Sequence, residues 1–248
     1  MNPINDDTLL EIENLQYRWP SGQRDVINIP ELSIRKGERV FIKGESGSGK
    51  TTLLSLFGGI NLPSAGLINI LGTNICELKQ SRRDQFRADH IGFIFQLFNL
   101  IPYLSVIENI TLACEFSKRR KANVLAKSKT LEDEAYRLLC HLQLNDRDLL
   151  TKPVSDLSVG QQQRVAAVRA LIGSPELIIA DEPTSALDAD AREHFLTLLL
   201  SECQESGSTV LFVSHDSSLE TAFDRSLSLN QLNHAKPNNT CLKQENLS

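Results

Sequence analysis

Residues Gly44-Glu45-Ser46-Gly47-Ser48-Gly49-Lys50-Thr51 fit the spacing Gly-x-x-x-x-Gly-Lys-Ser/Thr. These residue types suit one task, holding a run of phosphates. Glycines let the backbone curl until successive N–H groups converge on an anion, and a helix that begins there adds its positive end. Lys50 then reaches the β- and γ-phosphates, Thr51 offers a hydroxyl to Mg²⁺, and Thr52 extends the loop into the helix. A second segment, Leu177-Ile178-Ile179-Ala180-Asp181-Glu182, is an apolar run closed by two carboxylates. Ligands of α/β proteins sit at the carboxyl ends of such strands. There Asp181 suits Mg²⁺, through water, and Glu182 suits the polarising of an attacking water. A strand followed by a solvated acidic turn is the alternative for the pair taken alone; beside the glycine loop the pair reads as the other half of a nucleotide site.

These residues need a strand before the glycine loop, a helix after it and a buried strand under the carboxylates. Arg39-Val40-Phe41-Ile42-Lys43 reads as the first, and the segment starting Thr51-Thr52-Leu53-Leu54 as the second. Residues 177–181 and 209–213 are continuous apolar runs of the kind buried on both faces of a parallel sheet. Residues 9–19 alternate as a strand, residues 26–35 as another broken at Pro30, and 66–72 and 90–95 complete a β-rich first portion. Ser105 with Glu108 three residues on is a capping box that opens a helix through Val106, Ile107, Ile110 and Ala113. Leu131, Ala135, Leu138, Leu139 and Leu142 mark another helix, so residues 97–157 are expected as a helical insert. Between the two helices, Lys118 to Lys121 reads as a solvated loop, with contact to anionic lipid as the alternative. From residue 160 the expected order is helix, strand, helix, strand, helix. One domain over 1–233 and a polar tail over 234–248 follow.

The bulk properties set limits. The 248 residues are 41% hydrophobic, enough for a sizeable core, and the formal net charge of −5 argues against a nucleic-acid partner. The acidic start, MNPINDDTLLEIE, has no export signal, and no apolar run is long enough to span a bilayer. Cys76, Cys114, Cys140, Cys203 and Cys241 are scattered, as expected for reduced thiols.

Leu157-Ser158-Val159-Gly160-Gln161-Gln162-Gln163-Arg164, taken with Asp181-Glu182-Pro183-Thr184-Ser185-Ala186-Leu187-Asp188, resembles the signature of ABC ATPases, usually Leu-Ser-Gly-Gly-Gln. The resemblance runs from about residue 9 to 232. It implies an α/β fold with a RecA-like P-loop NTPase core, an antiparallel β-subdomain and a helical subdomain. By position, Gln96 resembles the glutamine that senses Mg²⁺ and the attacking water, and His215 the switch histidine at the γ-phosphate. Ser185 to Asp188 resemble the D-loop, and Trp19 stands where the family stacks an aromatic on adenine. Ser158, Gly160 and Gln161 resemble the signature contacts to ATP bound by the opposite subunit. Read without the family, Ser158 is equally an N-cap and Gln161 to Gln163 a solvated helix start. Val159 replaces the first signature glycine, and its β-branched side chain restricts the backbone. The Asp-Gly that the family often has near Asn230-Gln231 is absent, which leaves the last strand open.

Residues 91–110, IGFIFQLFNLIPYLSVIENI, are similar to the lipoprotein-releasing and macrolide-export branch, which includes the cell-division ATPase that works with an FtsX-like permease. The resemblance implies ATP and Mg²⁺ as ligands and an ATPase subunit that closes on a second copy. It further implies a separate integral-membrane permease, FtsX- or MacB-like, driven from the cytoplasmic face of the inner membrane for export or mechanotransmission. Regulation of cell division or envelope remodelling is the alternative, and a soluble non-transport ABC ATPase the third reading.

Overall fold

The computed structural model describes residues 7–20, 22, 24–45 and 47–235. Ser46, Cys241 and all but the first two residues of the expected polar tail lie outside the described residues. Strands β1 (Thr8–Tyr17) and β2 (Ile27–Arg35) pair antiparallel. Strand β3 (Arg39–Lys43) leads into helix α1 (Lys50–Phe57), and β4 (Ala65–Ile70) with the short β5 (Thr73–Asn74) returns to β1. Helix α2 (Gln80–His90) precedes β6 (Ile91–Ile94), then α3 (Val106–Glu115), α4 (Lys118–Lys127) and α5 (Leu131–His141) follow. Helix α6 (Val159–Leu171), β7 (Leu177–Asp181), α7 (Ala189–Ser206) and β8 (Thr209–Ser214) come next. Strand β9 (Arg225–Ser228) and the single turn α8 (Leu229–Leu232) end the described chain.

The strands form two sheets: an antiparallel one in the order β2-β1-β4-β5, and an all-parallel one in the order β6-β7-β8-β3-β9. Because successive strand residues point to opposite faces, each inner strand feeds two cores. Phe41, Ile178, Ala180 and Phe212 pack toward α3, α5, α6 and α7. Val40, Ile42, Ile179, Leu211 and Val213 pack toward α1 and the antiparallel sheet. The continuous apolar runs are thus needed: the middles of the inner strands β7, β8 and β3 are buried on both faces.

Several expectations change. Pro30 does not break β2: the register continues from Ile29 opposite Leu15 to Glu31 opposite Glu13. It is tolerated because β2 is an edge strand, where a missing N–H breaks no inner ladder. Strand β1 stops at Tyr17, two residues short of Trp19. The expected final helix is reduced to a 3-10 turn over Ser217–Ala222 and the short α8, and a last strand does form, as β9 parallel to β3. Helix α2 buries no residue, so no apolar period announced it.

The largest change is at Lys118 to Lys121, which begin α4 and are not a loop. Ser117 caps this helix by accepting from Arg120 N–H. Arg120 is buried, with 4% of its surface exposed. Its Nε donates to Ile172 O at 2.8 Å, and its Nη2 donates to Ala170 O. Those carbonyls belong to the last turn of α6, where a helix runs out of internal donors. Burial pushes the guanidinium down to about 10, still charged at neutral pH. Truncating Arg120 to Ala leaves those carbonyls unpaired and should cost about 2 kcal/mol. For a domain of this size that is a fall in melting temperature of about 4–8 °C, checked by calorimetry. An unchanged melting temperature would remove Arg120 as a tie between α4 and α6.

Candidate functional site

The glycine loop fills the gap between β3 and α1. Gly47 and Gly49 have φ of +80° and +99°, a region that L side chains avoid. Gly49 is the N-cap of α1, so no side chain caps the helix, and no acidic residue sits in its first turn. The positive end of α1 therefore meets no negative side chain of its own, which is the local chemistry of an anion site. Lys50 Nζ folds back to donate to Gly44 O at 2.6 Å and Glu45 O at 3.1 Å. Thr51 Oγ1 donates to Asp181 Oδ2 at 2.9 Å, joining α1 to the end of β7. Burial raises the pKa of Asp181, and the Thr51 hydrogen bond opposes that rise.

Glu182 is the focus of the site. It has φ of +47°, uncommon for a non-glycine residue, and it is 8% exposed. Ser214 Oγ donates to its Oε2 at 3.2 Å, and His215 Nδ1 lies 2.9 Å from each carboxylate oxygen. Lys50 Nζ is 3.6 Å from Oε1. The fold thus brings Lys50, Thr51, Asp181, Glu182 and His215 together from α1, β7 and the end of β8.

Other expected residues stand apart. Ser158 is the N-cap of α6, accepting from Gln161 N–H at 3.3 Å, while Gln161 Oε1 accepts from Ser158 N–H at 2.9 Å. Val159 is the first helical residue and half exposed, so its β-branch is accommodated by helical backbone. Among the described residues, no hydrogen bond joins Ser158, Gly160 or Gln161 to the glycine loop. Gln163, grouped by sequence with a solvated start, is fully buried, because it faces inward in α6. Gln96 is exposed in the turn after β6, with no hydrogen-bond partner for its side chain among the described residues. Trp19 is 42% exposed and meets Tyr17 edge-on at 5.1 Å. Ser185 N–H donates to Glu182 O at 3.2 Å, and Asp188 caps α7 by accepting from Ala191 N–H at 2.8 Å. Sequence reasoning passed over Ser214, Arg192 and Asp216, although Ser214 and Asp216 flank His215 directly.

Residues 27–185 match the family model described as ABC transporter. The chain belongs to that family. Its cassette is an ATP-binding subunit of the LolD/MacB branch and an ATPase. It is 39% identical over 230 residues to an uncharacterized ABC transporter ATP-binding protein of Mycobacterium tuberculosis, covering 91% of this chain and 88% of that one. It is 35% identical to the lipoprotein-releasing system ATP-binding protein LolD of Chromohalobacter salexigens, covering 92% and 93%. It is 38% identical to the macrolide export ATP-binding/permease protein MacB of Vibrio parahaemolyticus, covering 88% of this cassette but 32% of that protein. Among solved structures, the dimeric ATP-binding cassette MJ0796 in a post-hydrolysis state, bound to ADP and Pi, superposes with a TM-score of 0.79 at 33% identity, covering 89% and 94%.

Gly47 and Gly49, the left-handed glycines of the loop, differ in surroundings. A Cβ on Gly49 would stand 3.0 Å from Ile27 Cδ1, whereas a Cβ on Gly47 meets nothing within 4 Å. Gly47→Ala should lower stability by about 1 kcal/mol through backbone strain alone, and Gly49→Ala should lower it further by pressing on β2. Thermal unfolding of the two variants checks the order; equal losses would mean that Ile27 yields freely.

Proposed function

We propose that this cassette closes on a second copy around ATP, and that hydrolysis reopens the pair and so moves a membrane permease. The observation that carries the reading is the convergence of Lys50, His215 and Ser214 on the buried Glu182, beside a first turn of α1 that carries no acidic residue of its own. In this reading the α1 N-terminus and Lys50 bind the phosphates of ATP. Glu182 takes a proton from the attacking water, and His215 holds Glu182 and faces the γ-phosphate. Ser48 and Thr52 line the loop, Glu45 stands at its exposed rim, and Ser46 is assigned to the same loop by its place in the sequence alone.

Mg²⁺ fits the residues present. Thr51 and Asp181 already present two hard oxygens to one another at 2.9 Å, and this ion takes few protein ligands and completes its shell with phosphate and water. Gln96 would approach from the turn after β6. When bound, the ion would neutralise charge between the phosphates.

A second copy is needed because Ser158, Gly160 and Gln161 lie away from the glycine loop of their own chain. The N-terminus of α6, where Ser158 and Gln161 cap one another, would offer them to a nucleotide on the opposite copy, with Ser185 and Asp188 assigned to the same contact. The dimeric state of MJ0796 supports this. The names of LolD and MacB support a permease partner and export or lipoprotein release, and a permease partner would hold the cassette at the cytoplasmic face of the membrane. No helix among the described residues is long and apolar enough to cross a membrane. A cavity of about 660 Å³ between α2, α3 and α6, beside the exposed Leu97 and Phe116, supports a seat for the partner's cytoplasmic segment.

Glu182→Gln tests the reading: it should remove most ATP turnover, keep ATP binding and accumulate an ATP-dependent dimer on size-exclusion chromatography. Near-normal turnover would take the proton-accepting role away from Glu182. Trp19, the chain's single tryptophan, is assigned to the adenine. Trp19→Ala should raise the ATP Kd about ten-fold, a loss of about 1.4 kcal/mol, and ATP should change the intrinsic emission saturably. No emission change with unaltered Kd would move the base contact elsewhere.

A further inference from the structure

We propose that Arg192 and Asp216 are positioning residues for hydrolysis, which lock the Ser214–His215 segment against Glu182. The proposal rests on the role given to Glu182 above. Neither residue touches Glu182; both act through Ser214.

The chain of contacts starts at α7. Asp188 caps this helix, and Arg192 lies one turn further on, so its side chain returns to the segment just before the cap. Its Nη2 donates to Leu187 O at 3.1 Å, and its Nη1 donates to the Asp216 carboxylate. Its Nε is buried and has no hydrogen-bond partner among the described residues, so the head is held by these two acceptors. Asp216 Oδ1 accepts from Ser218 N–H at 3.0 Å and from Ser218 Oγ at 2.7 Å. These bonds, together with Arg192, hold the carboxyl below its usual range, so it stays charged.

Asp216 then fixes a hydroxyl. Its backbone N–H donates to Ser214 Oγ at 3.1 Å. A serine hydroxyl has one proton. With an N–H already aimed at the oxygen, that proton is left to point to Glu182 Oε2 at 3.2 Å. Ser214 is 2% exposed, so water does not compete for it. The guanidinium therefore ties the loop before α7 to the loop after β8, and Glu182 receives its hydrogen bonds from Ser214 and His215, at the junction of β8 with that loop. A displacement of residues 185–188 is passed through Leu187 O and Arg192 to the donors on Glu182. The planar fork matters: it engages two acceptors in fixed directions, whereas a lysine ammonium on a flexible stem engages them without that geometry.

The test uses the full chain. The turnover number and KM for ATP, with the melting temperature, are measured for Arg192→Lys, Asp216→Asn, the double variant and Glu182→Gln. Each single variant should lose about ten-fold in kcat with KM within about two-fold, the pattern of an interaction felt in the transition state and not in binding. The double variant should fall no further than the weaker single one, because both changes break one path. Wild-type kcat in Arg192→Lys and Asp216→Asn overturns the proposal. So do losses that multiply in the double variant, or a rise in KM that matches the whole loss. These outcomes are read with Glu182→Gln inactive. If Glu182→Gln itself turns over normally, the reading of Glu182 fails first and the proposal falls with it.

Discussion

A carboxylate held at the buried end of a strand is costly unless donors surround it, and Glu182 is such a group. Much of the nearby architecture meets that demand. Strand β8 runs beside β7 with Val213 opposite Asp181, so Ser214 at the end of β8 stands level with Glu182 and His215 follows directly. Strand β3 lies on the other side of β8, so the glycine loop rises next to them and Lys50 comes within reach. The order β7-β8-β3 is therefore the arrangement that puts two donors and a cation around one acid. The left-handed backbone at Glu182 is held by the same set: its N–H donates to Val213 O, which fixes the turn while the side chain is gripped from three directions.

The inner strands and the phosphate loop were legible because their signals are local and redundant. Residues 177–180 and 210–213 are apolar at every position, the pattern of strands buried on both faces. The glycine spacing at 44–49 is bracketed by the strand and helix it needs. The capping box at Ser105 formed as its spacing implied, with Glu108 returning to Ser105 N–H at 2.8 Å. What stayed hidden depends on distant partners. The charges at 118–121 mask a helix whose third residue points inward, and nothing nearby says that Arg120 meets carbonyls fifty residues on. Helix α2 has no apolar face to detect. Gln163 looks like its two polar neighbours and differs only in direction. Arg192 was unreadable as part of the site because its two acceptors come from separate loops.

Helix α6 links the regions. Its first turn carries Ser158 and Gln161, and its last turns are gripped twice. Arg120 takes the terminal carbonyls, and Arg169 donates to Phe98 O and Asn99 O, both at 2.6 Å. Phe98 and Asn99 have successive positive φ values of 59° and 49°, a conformation that needs such outside support. The turn bearing Gln96 is thus fastened to the same rod that bears the signature residues, and α4 is fastened to its far end.

The proline on β2 has a consequence beyond its own strand. An edge strand offers a ladder to any extended chain that drifts alongside, and this is how many β-proteins aggregate. Pro30 removes one rung. A foreign strand laid against β2 would find an N–H missing in the middle of its register, and zipping would stall there. For the cycle of closing and reopening proposed above, that gap discourages a permanent edge-to-edge embrace and leaves reversible pairing as the easier way for copies to associate.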